Sequence, residues 1–188
     1  MTPSVQAISD LVMRGFVLKD VAPRIIQVAS EILLFSGLND EQLTRLASTF
    51  SVTTFREKER VFAEKEEPVN MYILLDGMVS IRMGNPTATI GYVKKGEIFG
   101  ELSLLSSKNH SATAVAETRV EAGALNHLDL SELTRQRPDI GLIIYRNLAI
   151  GLGEKLLRSD ISLRDQLLNK TLDKSKLKKK FKTTTKLS

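Results

Sequence analysis

The chain has 188 residues, 42% hydrophobic and 26% charged, with a formal net charge of +5 at pH 7. That length suits one domain with a core plus appendages, and that apolar fraction belongs to a folding chain rather than a disordered one. The lack of cysteine excludes disulfides, thiolate nucleophiles, cysteine-ligated zinc and iron–sulfur clusters, and two histidines, His110 and His127, are too few for a histidine-rich metal site.

From about Pro3 to Ser36 apolar residues recur at helical spacing: Val5, Ile8 and Val12, then Val21, Ile25, Val28 and Ile32. Two short helices are expected, the second starting near Ala22 with Pro23 in its first turn. Asn39-Asp40-Glu41-Gln42 offers the cap of a third helix carrying Leu43, Leu46 and Phe50. The start of the sequence lacks the basic segment and apolar core of a secretory signal. No uncharged apolar run approaches the roughly 18 to 20 residues that span a bilayer, so a cytoplasmic location is expected.

From Phe50 the pattern changes to short β-prone runs: Val52 to Phe55, Arg60 to Phe62, Met71 to Leu75, Met78 to Ile81, Thr89 to Val93, Ala112 to Val115 and Val120 to Leu125. Strands of this length and spacing predict a sandwich or roll. Asp76-Gly77 between two apolar runs predicts a two-residue hairpin, and Gly84-Asn85-Pro86 a second turn. After Leu128 the helical period returns. Pro138 lies just inside the start of a long helix in which Ile140, Ile144, Leu148, Leu152 and Leu156 share one face, expected to run to about Leu168.

Beyond Leu168 lysine and threonine dominate, and a solvated, disordered tail is expected. Residues 169–188 hold eight lysines against one aspartate, so the net positive charge resides there and the remainder is slightly acidic. Such a tail can bind nucleic acid or an acidic membrane without sequence preference, but Phe181 alone offers no stacking platform.

The segment richest in chemistry runs Gly96-Glu97-Ile98-Phe99-Gly100-Glu101-Leu102-Ser103-Leu104-Leu105, followed by His110-Ser111-Ala112-Thr113-Ala114-Val115-Ala116. A strand ending at Phe99, a glycine that lets the backbone approach closely, and one helical turn over Leu102 to Leu105 with outward N–H groups would favour an anion. Glu101 would repel a phosphate, so its carboxylate suits a sugar hydroxyl.

These residues resemble the phosphate-binding cassette of the cyclic-nucleotide-binding domain shared by the catabolite activator family, protein kinase A regulatory subunits and nucleotide-gated channels. Leu34-Phe35-Ser36-Gly37-Leu38 and Met71-Tyr72-Ile73-Leu74-Leu75-Asp76-Gly77-Met78-Val79 resemble further marks of that family, and the likeness spans roughly Leu33 to Leu157. It implies an α+β fold: a β-roll, jelly-roll-like, flanked by N-terminal helices and a long C-terminal helix. The implied organisation is a helical extension over 1–32, the binding-type domain over 33–168 and the basic tail over 169–188.

The resemblance implies that backbone amides at Gly100, Leu102 and Ser103 cradle a cyclic phosphate, that Glu101 accepts a ribose hydroxyl, and that Ser111 and Ala112 complete the site. His110 stands where the family has arginine. Histidine lacks arginine's planar fork and permanent charge, which weakens the phosphate anchor. Lys58 and Lys65 stand where the family usually has glycines, so those turns are expected to be built differently.

Two readings follow. One is a stand-alone regulatory domain that takes cyclic AMP, cyclic GMP, cyclic di-GMP or a related phosphate and signals through its terminal helices. The other is a degenerate domain that no longer binds a ligand and serves as a protein interaction or targeting module. A protein partner of unknown identity, or a homodimer through the helix after Pro138, belongs to either. No enzyme, metal or cofactor is expected, nor sequence-specific DNA binding, because about 20 residues after the long helix cannot hold a helix-turn-helix domain.

Overall fold

The structure is a computed structural model describing residues 22–84, 87–105 and 109–184, with side chains of 162, 163 and 165–184 outside the description. In chain order it contains helix α1 (22–29), a 3-10 turn Leu33–Phe35, helix α2 (Asp40–Ala47) and strands β1 (Phe50–Phe55), β2 (Arg60–Phe62), β3 (Asn70–Asp76), β4 (Val79–Met83), β5 (Ala88–Val93) and β6 (Ile98–Phe99). A second 3-10 turn, Glu101–Leu104, precedes β7 (Thr113–Ala116), β8 (Val120–Asn126), helix α3 (His127–Gln136) and helix α4 (Pro138–Thr184). All seven predicted β runs are strands. The expected helix before Ala22 and the Asn85-Pro86 turn lie outside the described residues.

The strands form two antiparallel four-stranded sheets, ordered β1-β8-β3-β6 and β2-β7-β4-β5. The chain thus has the α+β jelly-roll-like architecture expected of it. One expectation fails: β3 and β4 are not a hairpin. β3 pairs with β8 and β6, whereas β4 pairs with β7 and β5. At Asp76-Gly77 the chain crosses from one sheet to the other, alongside residues 116–121, which make the same crossing in the opposite direction. Asp76 faces Glu121 in the first sheet and Val79 faces Ala116 in the second. Between them, Met78 N–H donates to Thr118 Oγ1 at 3.1 Å and Glu117 N–H to the Met78 carbonyl at 2.8 Å. Gly77 has φ of 92°, and a Cβ there would collide with the Arg119 carbonyl. Its glycine is needed, but for a sheet-to-sheet corner rather than a two-residue hairpin.

Strand β3 shows why the first sheet organises the molecule. Met71 to Leu75 are all buried, so both faces of the strand are covered. Tyr72 and Leu74 join Val79, Phe99, Ala116 and Ala122 inside the roll. The opposite face carries the helical layer: Gly123 of β8 lies under Ile25 of α1 and Phe50, and Phe50 meets Phe35 edge-on at 6.3 Å. Arg24 adds a two-pronged ion pair to Glu121, both contacts at 2.7 Å.

Helix α2 starts as its sequence indicates. Asn39 Oδ1 accepts the Gln42 N–H at 2.9 Å while the Gln42 side-chain carbonyl accepts the Asn39 N–H at 2.9 Å, a reciprocal cap that satisfies two otherwise unpaired donors. Asn126 caps α3, and Arg137 separates it from α4. Asn147 of α4, buried, donates to the carbonyls of Leu34 at 3.2 Å and Ser36 at 2.7 Å. Helix α4 continues to Thr184, beyond the end expected near Leu168, through residues such as lysine and leucine that favour helix. The chain divides into two compact units, Met1–Asn147 and Leu148–Ser188. Among the described residues no helix is long and apolar enough to cross a membrane.

Candidate functional site

The predicted cassette grows out of the edge of the first sheet. Ile98 and Phe99 pair with Ile73 and Tyr72, which fixes where β6 ends. Gly100 then turns the chain with φ of 72°. A Cβ at Gly100 would stand 3.1 Å from the Asn70 carbonyl and 3.4 Å from the Phe62 ring. Left-handed backbone and close approach both require glycine here.

The helical turn expected after it is present as the 3-10 turn Glu101–Leu104. Ser103 N–H donates to the Gly100 carbonyl at 3.0 Å, and Leu105 N–H to the Leu102 carbonyl at 3.2 Å. The Ser103 amide is therefore engaged within the turn. Leu102 projects toward solvent, whereas Ser103 and Leu104 are buried. The Ser103 hydroxyl is buried without a hydrogen-bond partner among the described residues. Such a group ordinarily costs stability, so it marks the turn as a place where a polar partner would fit.

Residues 110–112 return to the roll immediately before β7. His110 is held by its backbone: its N–H donates to the Glu66 carbonyl at 2.9 Å and its carbonyl accepts the Lys65 N–H at 2.8 Å. Its imidazole lies flat on Phe62, ring centres 3.8 Å apart and planes 7° from parallel. Burial lowers the pKa of that imidazole, opposed by the Glu66 carboxylate, which raises it. Ser111 is exposed and Ala112 buried.

Phe62 links the two halves of the site. One edge of its ring lies 3.4 Å from the place a Cβ at Gly100 would take, and its face carries His110. Behind it, Tyr72 and Phe99 lie at 6.3 and 6.1 Å and stack on each other at 5.1 Å. The sequence marked Phe62 only as the end of a short strand. The aromatic residues come from β2, β3 and β6, and no local pattern reveals that they converge.

The turns at Lys58 and Lys65 differ from expectation. Both lysines adopt left-handed backbone, φ 66° and 70°, so the turns keep a glycine-like shape and the lysines carry the strain. Lys58 N–H donates to the Ala116 carbonyl at 2.7 Å and Lys65 to that of His110. These long-range bonds hold the backbone there.

A family profile described as Cyclic nucleotide-binding domain matches residues 52–137, which run from β1 through α3 and take in the cassette. Over 133 residues the chain is 30% identical to the Cyclic AMP receptor protein of Thermus thermophilus, an alignment covering 69% of this chain and 60% of that protein. It is 28% identical over 124 residues to Potassium channel AKT6 of Arabidopsis thaliana, covering 65% of this chain and 14% of the channel. The crystal structure of the Thermus thermophilus Catabolite Activator Protein superposes with a TM-score of 0.63 at 30% identity, covering 70% of this chain and 62% of that one. The chain thus spans about three-fifths of the receptor and a small part of the channel. With the roll, the cassette turn and these likenesses in agreement, residues 52–137 form a domain of the cyclic nucleotide-binding type.

Proposed function

We propose that the roll binds a cyclic nucleotide or a related phosphate compound, weakly for its family, and that occupancy is relayed through the terminal helices. The observation that carries this reading is the turn at Gly100: a left-handed glycine with no room for a Cβ beside Asn70 and Phe62 launches Glu101–Leu104, with a Ser103 hydroxyl that is buried and unpartnered among the described residues. A fold that had kept the turn only for packing would gain stability from an alanine at Ser103.

In this reading Gly100, Leu102 and Ser103 border the phosphate, Glu101 accepts from the sugar, and His110, Ser111 and Ala112 form the far wall. Cyclic AMP, cyclic GMP and cyclic di-GMP are the ligands to test. The binding role and the ligand class are drawn from the names of the relatives and from the turn's chemistry; the site involves no catalytic step. Signalling would act on a protein partner or on a second copy through α4, within a cytoplasmic setting.

The second reading, a domain that has lost its ligand and serves as an interaction module, is favoured by His110, whose ring packs on Phe62 like a core residue. Titration calorimetry separates the two, using the three nucleotides near pH 6 and near pH 7.5 on the native chain and on His110→Arg. The sensor reading expects measurable binding by the native chain and tighter binding by His110→Arg, by roughly tenfold to over a hundredfold, the effect of restoring a charge-assisted bond. No binding by the native chain at either pH, whatever His110→Arg does, overturns it in favour of the interaction module.

A further inference from the structure

The proposed site leaves open what His110 contributes, and its surroundings answer that. Its main chain is fixed to the 65–66 segment by two hydrogen bonds, so residue 110 cannot swing away without breaking a β-like bridge. The ring then has one broad face on Phe62 at 3.8 Å, and Phe62 in turn stands 3.4 Å from where a Cβ at Gly100 would lie. A stacked imidazole keeps both nitrogens in the ring plane, at its rim, where they can still meet a ligand. Stacking therefore sets the direction of its hydrogen bonds without consuming them.

Resting on the reading that this cassette takes a phosphate, we propose that Phe62 is a positioning residue that aims the His110 imidazole at the ligand, and that phosphate binding there takes up one proton on His110. Among the described residues, charged groups of both signs lie on the segments that meet at the site. Glu66 on the 62–70 loop is the carboxylate that favours the protonated form, and it is shared with Arg60 at 3.1 Å. Lys65 is bound through its backbone, Glu101 lies on the cassette turn, and β7 from Thr113 to Ala116 brings no charge.

Without ligand, partial burial against an apolar ring disfavours the imidazolium, as the lowered pKa records. A bound phosphate supplies the opposite charge and raises that pKa. The bound state then holds more protons than the free one wherever the pH lies between the two values. Affinity accordingly rises as pH falls through the bound pKa and levels off below the free one. Arginine at the same position would hold its charge throughout and give no such dependence.

The test is calorimetry with cyclic AMP, cyclic GMP and cyclic di-GMP at pH 5.5, 6.5 and 7.5, repeated in two buffers of different ionisation enthalpy so that protons taken up are counted. The native chain is expected to bind about tenfold or more tighter at pH 5.5 than at 7.5, with net proton uptake in the intermediate range. His110→Arg should bind without that pH dependence. Phe62→Leu, which keeps an apolar side chain, should reduce the pH-dependent part of the affinity. In the same variant the His110 titration followed by NMR should move toward the ordinary histidine value, a readout that a merely structural role would leave in place. Equal affinity across the three pH values, or binding with no proton uptake, overturns the proposal while leaving the cassette a binding site. Absence of binding by the native chain at every pH sinks both. A Phe62→Leu chain that retains the full pH dependence refutes the role of Phe62.

Discussion

Lys58 and Lys65 hold left-handed backbone conformations in which a Cβ costs about 1 to 2 kcal/mol relative to glycine's freedom. Lys65 is exposed and its side chain makes no bond among the described residues, so Lys65→Gly should raise stability by roughly 0.5 to 1 kcal/mol, part of the relief being offset by the greater entropy of an unfolded glycine. Chemical denaturation would show this as a higher midpoint at unchanged slope. Lys58→Gly should gain less, because Lys58 also pairs with Glu117 at 3.1 Å. An unchanged or lower midpoint for Lys65→Gly would mean that the strain is balanced by contacts of the lysine stem. The sequence exposed these two positions as lysines where glycine is usual, but not the φ they adopt. That value is imposed by bonds to Ala116 and His110, some fifty residues away in the chain. His110 was legible as a departure, and its aromatic bed was not, since Phe62 lies forty-eight positions earlier.

At the scale of elements, local signals identified what each segment does with its own backbone and failed where a distant partner decides. The reciprocal cap at Asn39 and Gln42 involves four consecutive residues, so the start of α2 could be read directly. Asp76-Gly77 gave an equally strong local signal, yet the corner belongs to two sheets because 116–121 travels beside it. Gly77→Ala should therefore destabilise the fold by at least about 2 kcal/mol, through positive φ and contact with the Arg119 carbonyl, whereas a free hairpin turn would tolerate it better. The same corner holds Glu117, whose pKa is lowered to about 2 by the Ser80 hydroxyl first, then by Arg82 and Lys58. A depressed carboxylate stabilises the fold above its unfolded pKa, and that contribution disappears as pH falls through the folded value. Stability of the native chain should decline between about pH 4.5 and pH 2 more steeply than that of Glu117→Gln. Parallel declines in acid denaturation would show that the pairings are screened by water.

Across the whole of the first unit, one sheet serves two cores. Its inner face closes the roll under the cassette through Tyr72 and Phe99, and its outer face receives α1 and the Phe35–Phe50 contact. The run Met71 to Leu75 was legible as a strand and as one arm of a hairpin; its lack of alternation, the mark of a strand covered on both faces, belongs to the sheet's two cores. Which helices cover it could not be read, since Gly123 looks like any strand glycine until Ile25 is seen above it. This gives a test of how the helical layer is attached. An alanine at Gly123 would run into the terminal methyl of the buried Ile25 side chain and stand 3.3 Å from Phe50, so Ile25 must repack in a closed core or α1 must shift. Gly123→Ala should cost about 1 to 3 kcal/mol, the range for overpacking a closed core. Because the intruding methyl points away from the roll interior, amide exchange should quicken first in α1 and at the Leu33–Phe35 turn, while β4, β5 and β7 keep their protection. Glu121→Gln, which weakens only the exposed ion pair to Arg24, serves as the control and should change stability by less than about 1 kcal/mol. Uniform loss of protection across both sheets in Gly123→Ala would mean that helices and roll unfold as one cooperative body, and any signal between cassette and helices would then have to travel without local opening.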